Sequence, residues 1–218
     1  MTYEKKYISP KQSLGEEIAN SITHGIGAAL GTAALTILVV LAALKGDAWR
    51  VVSFSIYGAS LVILYTSSTL YHAFANEKIK RYFRIMDLSA IFLLIAGTYT
   101  PITLLTLRGT GWGWTIFGLI WGMAIVGILF KTFFDGKFEK LSIIFYVLMG
   151  WLVIIAIKPM LANLPPGLLI WIAIGGLSYT IGIIFLAWTK FPYSHTVWHL
   201  FVLGGSISHF FGILLYLA

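Results

Sequence analysis

Long apolar stretches, separated by short polar or turn-forming clusters, run along nearly the whole chain. Stretches near 18–44, 51–74, 85–106, 112–130, 141–157, 166–188 and 195–217 are long enough, at about 1.5 Å of rise per residue, to be read as membrane-crossing helices. The separators carry charge or helix breakers: Lys45-Gly46-Asp47, Asn76-Glu77-Lys78, Arg108-Gly109-Thr110-Gly111, Asp135-Gly136-Lys137, Asn163-Leu164-Pro165-Pro166-Gly167 and Lys190-Phe191-Pro192-Tyr193. None is long enough to be a domain. The pattern predicts an all-α integral membrane protein of seven transmembrane helices, with a short cytoplasmic tail over 1–12 and a single seven-helix transmembrane domain over 13–218. Ser13-Leu14-Gly15-Glu16 has the Ser-x-x-Glu capping pattern and sets the first helix start near residue 14. Pro101 is expected to kink the third span.

Composition agrees. Apolar residues make up 59% of the 218 and charged residues only 11%, against about 25% in soluble domains. There is no cysteine, so disulfides and thiolate metal sites are excluded, and any metal must be held by His, Asp, Glu or backbone oxygen. Basic residues fix the direction. Lys5, Lys6, Lys11, Lys78, Lys80, Arg81, Arg84, Lys131, Lys137, Lys140 and Lys190 fall on one side, and Lys45, Arg50, Arg108 and Lys158 on the other. By the retention of Lys and Arg in cytoplasmic loops, the N-terminus is expected inside and the C-terminus outside, in a multi-pass protein of the cell membrane. Topology and anionic headgroups account for the net charge of +7, so no nucleic-acid partner is implied. Trp49, Trp112 and Trp114 near span ends read as interfacial belt residues. Gly27-x-x-x-Gly31 and Gly118-x-x-x-Gly122 read first as close helix contacts and second as a surface for homo-oligomer formation.

An ionisable group inside a span costs a few kcal/mol, about 2.5 to 3.5 for Asp at a helix centre, so each calls for an explanation. All five histidines lie in spans, His24 in the first, His72 in the second, and His195, His199 and His209 in the seventh; Asp87, in the third, is the acid well inside a span. Counted from the cytoplasmic ends, His72, Asp87, His195 and His199 share one level, within roughly 6 Å of the boundary. His195 and His199 stand at i and i+4 on one helix face, and Ser68 stands one turn from His72. Three imidazoles from two helices describe a catalytic type of zinc site, with Asp87 and Ser68 around its water. The competing reading is that buried histidines serve as hydrogen-bonded packing partners, that Asp87 meets the dipole in the first turn of its helix or pairs with Arg84, and that Ser68 bonds back to its own helix. His209, about 21 Å deep, falls outside the group, while His24 shares a face with Glu17 and Asn20 and serves either the site or helix packing.

Glu17-x-x-Asn20-x-x-x-His24, Ser68-Thr69-Leu70-Tyr71-His72, Asp87, and His195-Thr196-Val197-Trp198-His199 followed by His209 resemble the hemolysin III branch of the progestin and adipoQ receptor family, across nearly the whole chain. The resemblance implies seven helices, a cytoplasmic N-terminus, and zinc held by His72, His195 and His199. It also implies kinship with the alkaline ceramidases, hence hydrolysis of a lipid amide or ester.

The leading expectation is therefore a zinc-dependent hydrolase with membrane lipid as substrate, Asp87 taking a proton and Ser68 positioning water or oxyanion. The alternatives are a hemolysin-like pore-forming or cytolytic protein, and a lipid-state sensor with a structural zinc.

Overall fold

The structure is a computed structural model that describes residues 12–134, 138–188 and 190–218. Most of the expected tail, with its three lysines, and the Asp135-Gly136-Lys137 separator lie outside the described residues. Among the described residues there are helices and no strands. They are α1 (Leu14–Leu44), α2 (Ala48–Ala73), α3 (Glu77–Pro101), α4 (Gly111–Phe133), α5 (Glu139–Gly150), α6 (Ile157–Asn163), α7 (Pro166–Ala187) and α8 (Ser194–Tyr216). Together they provide seven elements long and apolar enough to cross a membrane, the fifth formed jointly by α5 and α6. α1 packs along α2, α2 on α3 and α3 on α4; α7 packs on α8, which returns to α1.

α1 shows why these helices are apolar all round. Asn20, His24, Gly27, Gly31, Ala34, Leu38 and Ala42 form its buried stripe, while Ile18, Ile22, Ile26 and Leu30 on another face remain exposed. One face thus meets protein and the other meets lipid. Ser13 caps α1 as expected, its hydroxyl accepting from the Glu16 N–H while the Glu16 carboxylate accepts from the Ser13 N–H at 2.8 Å. Gly27 and Gly31 do make close contact with α2: a Cβ on Gly27 would run into the Tyr65 ring, and one on Gly31 would sit 3.4 Å from Leu61.

Other details depart from the hydropathy pattern. Gly118 and Gly122 meet nothing within 4 Å, because α4 buries the opposite stripe of Ile116, Ile120, Ala124 and Gly127. Lys131, expected in a loop, is buried in the last turn of α4. α3 starts at Glu77, where the Asn76 side chain accepts from the N–H groups of Lys78 and Ile79. The cap lets the helix run through the charged stretch, so Asp87 sits about three turns in and not at the helix start. Pro101 ends α3 and is followed by a π-helical turn over Ile102–Thr106.

The fifth crossing is broken. α5 ends at Gly150, a 3-10 turn covers Leu152–Ala156, and α6 carries Lys158, which had been expected in a loop. Tyr99 of α3 bridges the break: its hydroxyl donates to the Gly150 carbonyl at 2.9 Å and accepts from the Val153 N–H at 2.9 Å. Trp151 Nε1 donates to Thr180 Oγ1 at 3.0 Å, tying the same point to α7. At the other end of the bundle from His72, Trp49, Trp112 and Trp114 are exposed, and the Arg108 guanidinium lies 4.1 Å from the Trp49 ring centroid.

Candidate metal centre

Two helix ends meet to form the site. His72 lies in the last turn of α2, and His195 and His199 occupy the first two turns of α8. The start of α8 is pinned to α1. Tyr193, in the left-handed region at φ 56°, donates its N–H to Glu16 Oε1 at 3.0 Å, and Thr196 Oγ1 donates to Asn20 Oδ1 at 2.5 Å. Asn20 Nδ2 in turn donates to Gln12 Oε1 at 2.8 Å. Held this way, the three imidazoles each offer one nitrogen, and these atoms lie within 4.8 Å of one another. Ring centroids are 5.2 Å apart for His72 and His195, 5.1 Å for His72 and His199, and 4.6 Å for His195 and His199.

Protonation is directed by the surroundings. His72 Nδ1 lies 2.7 Å from Glu17 Oε2, so a carboxylate acceptor holds the proton on Nδ1 and leaves Nε2 as a lone pair. Glu17 is held by Lys80 Nζ at 2.8 Å, and Lys80 also donates to the Tyr71 carbonyl at 3.1 Å. His72 Nε2 and His199 Nδ1 are buried with no hydrogen-bond partner. Buried polar atoms are normally paired, so a close group of three imidazoles that leaves such nitrogens unpartnered fits a bound divalent metal of the borderline kind that imidazole prefers.

The other candidates divide into two groups. Ser68 is fully buried one turn from His72, and Asp87 on α3 has the Ser68 hydroxyl and the Arg84 guanidinium as its electrostatic neighbours. Asp87 is not one of the three metal-ligating groups brought together; the carboxylate hydrogen-bonded to His72 is Glu17. His24 stacks on His199 with centroids 3.5 Å apart, both its nitrogens buried and unpartnered. His209 stands apart, its Nε2 3.2 Å from the Ile172 carbonyl and its ring beside Tyr179. The spacing of Glu17, Asn20 and His24 on one face was the sequence signal for their place here. The Glu17 bond to His72 lacked one, because it joins residues 55 positions apart.

The fold and the site define a multi-pass membrane protein with a three-histidine group that could hold a metal ion. Comparison with known proteins gives the family. The sequence model described as Haemolysin-III related matches residues 12–210. Hemolysin-3 of Bacillus cereus is 51% identical over 94% of this chain and 93% of its own length, and the Hemolysin-3 homolog of Bacillus subtilis (strain 168) is 48% identical over 94% and 95%. The human monocyte to macrophage differentiation factor is 30% identical over 95% of this chain and 87% of its own. The chain belongs to the haemolysin III family.

Proposed function

We propose that this protein is a zinc-dependent hydrolase that cleaves an amide or ester of a membrane lipid at the cytoplasmic headgroup level. The observation that carries the reading is the convergence of His72, His195 and His199 near a helix end, with Ser68 and Asp87 adjoining along α2 and α3. Zinc held by the three imidazoles would supply Lewis acidity, polarising the scissile carbonyl and making water more acidic. Glu17 orients His72 and fixes its tautomer, and Lys80 holds Glu17 in place. The Asp87 carboxylate accepts the proton that the attacking water loses and returns it to the departing amine or alkoxide. Ser68 Oγ, beside the Asp87 carboxylate, orients the water or the carbonyl oxygen. Water is thus divided across the C–N or C–O bond, leaving a fatty acid and an amine or alcohol. The orientation in this reading follows the basic residues, eleven of fifteen of which fall on the histidine side.

The test is elemental analysis of detergent-purified protein beside His72→Ala, His195→Ala and His199→Ala, followed by assay of fatty-acid release from lipid amides and esters. About one zinc per chain, lost in all three variants, supports the site. A protein never exposed to chelator that holds no stoichiometric metal overturns it. A second reading, a pore-forming or cytolytic protein, draws on the hemolysin name of the relatives. Against it, Phe54, Tyr57, Leu61 and Tyr65 pack at no more than 2% exposure in the bundle core. Single-channel recording from sparsely loaded liposomes separates the two.

A further inference from the structure

Tyr65 lies seven residues before His72 on α2, and Ser206 lies seven residues after His199 on α8. Seven residues are close to two turns, so each pair shares a helix face at a separation of about 10.5 Å. The last turn of α2 meets the first turns of α8, so the helices run in opposite directions and both steps lead the same way into the bundle. A ladder of two rungs results. In the first, the His72 and His199 rings lie 5.1 Å apart; in the second, the Tyr65 hydroxyl donates to Ser206 Oγ at 2.7 Å.

The second rung is built into the core. Tyr65 is 1% exposed and Ser206 5%. Gly27 of α1 leaves the space that the Tyr65 ring fills, and His24 packs edge-on against that ring with centroids 5.0 Å apart. Tyr179 of α7 pairs with the same Ser206 hydroxyl at 2.8 Å. Apolar side chains inside a bilayer bundle tolerate sliding, since lipid and protein are similarly apolar, whereas a buried hydroxyl pair has one good register. A slip of α8 by one residue, about 1.5 Å, is several times the roughly 0.5 Å tolerance of a functional constellation.

We propose that the Tyr65–Ser206 hydrogen bond is a positioning device for the metal centre, setting the register and rotation of α8 against α2 and so the approach of His195 and His199 to His72. The inference rests on the metal reading above. α8 supplies its own control. Ser208 is also buried, but its hydroxyl donates to Gly204 within the same helix at 2.9 Å and holds nothing on α2.

The test measures zinc affinity of the full-length chain in detergent by chelator competition, with thermal unfolding of the metal-free protein alongside. Ser206→Ala and Tyr65→Phe each weaken zinc binding about tenfold, at the lower end of what supporting residues around metal ligands contribute. The double variant binds no more weakly than the worse single one, because both changes remove the same Tyr65–Ser206 hydrogen bond. Ser208→Ala binds as the wild type does. Tyr65→Phe, which removes one oxygen atom, keeps the test readable if Ser206→Ala does not fold. Unchanged affinity in the Tyr65 and Ser206 variants overturns the inference, as does an equal loss in Ser208→Ala. A wild type without zinc removes the metal reading and this inference together, a result distinct from variants that bind zinc as well as wild type.

Discussion

His24 lies flat against His199, with ring centroids 3.5 Å apart and planes within 11°. The contact joins α1 to the helix that carries two of the three converging histidines, and it backs the His199 ring with a rigid planar surface. Replacing the imidazole with another flat ring preserves that surface. His24→Phe is therefore expected to keep its zinc, whereas His24→Ala, which empties a buried ring-sized volume, is expected to lose roughly 3 kcal/mol of stability and most of the metal. Metal content and thermal melting in detergent check this, and a His24→Ala protein with wild-type zinc and melting would show that the stack supports nothing.

Glu17 accepts from His72 at 2.7 Å and is itself held by Lys80. Carboxylates that orient metal-ligating imidazoles contribute about 10- to 100-fold in metal affinity. Glu17→Ala is expected to weaken zinc by that factor, and Lys80→Met by less, since it removes the support of the support. Chelator competition provides the number. Equal affinity in Glu17→Ala and wild type would leave Glu17 as a surface partner of Lys80 alone.

Asp87 stands with Ser68 outside the three-nitrogen group. Asp87→Asn is accordingly expected to retain zinc at wild-type stoichiometry while fatty-acid release falls by about 100-fold or more, the usual contribution of a proton-transferring group. Hydrolysis at the wild-type rate would eliminate Asp87 as proton acceptor. Loss of zinc would instead make it part of the metal's holding set.

Gly27 and Gly118 form a matched pair of substitutions. A Cβ at Gly27 meets the Tyr65 ring, and one at Gly118 meets nothing within 4 Å. Gly27→Ala is expected to destabilise by about 1–3 kcal/mol through overpacking. Gly118→Ala is expected to be neutral or to stabilise by up to about 1 kcal/mol, as alanine does in a helix. Melting temperatures of the two variants in the same detergent decide the point.

The seven crossings were legible because a bilayer imposes a length and an apolarity that few other structures share. The histidine convergence was legible because i, i+4 spacing places His195 and His199 on one face, and equal depth brings His72 to the same level. What escaped the sequence depends on partners from elsewhere in the chain. The hydropathy pattern began the third span at residue 85 because it treats Lys80 and Arg84 as loop residues, while the Asn76 cap carries the helix straight through them. Tyr65 and Ser206 look like ordinary residues of apolar helices until α2 and α8 are set side by side. The interruption after Gly150 is visible only once Tyr99 is known to stand opposite.

That interruption bears on how the chain is assembled. α5 has 12 residues and α6 has 7, giving rods of about 18 and 10 Å, neither of which crosses a hydrocarbon layer of roughly 30 Å alone. Between them, a phenol supplied by the third crossing satisfies the Gly150 carbonyl and the Val153 N–H where the α-helical bonding gives way to the 3-10 turn. The fifth crossing therefore takes its final form only against its neighbours: the third crossing satisfies the backbone groups at the break through Tyr99, and the sixth ties the same point through Thr180 and Trp151.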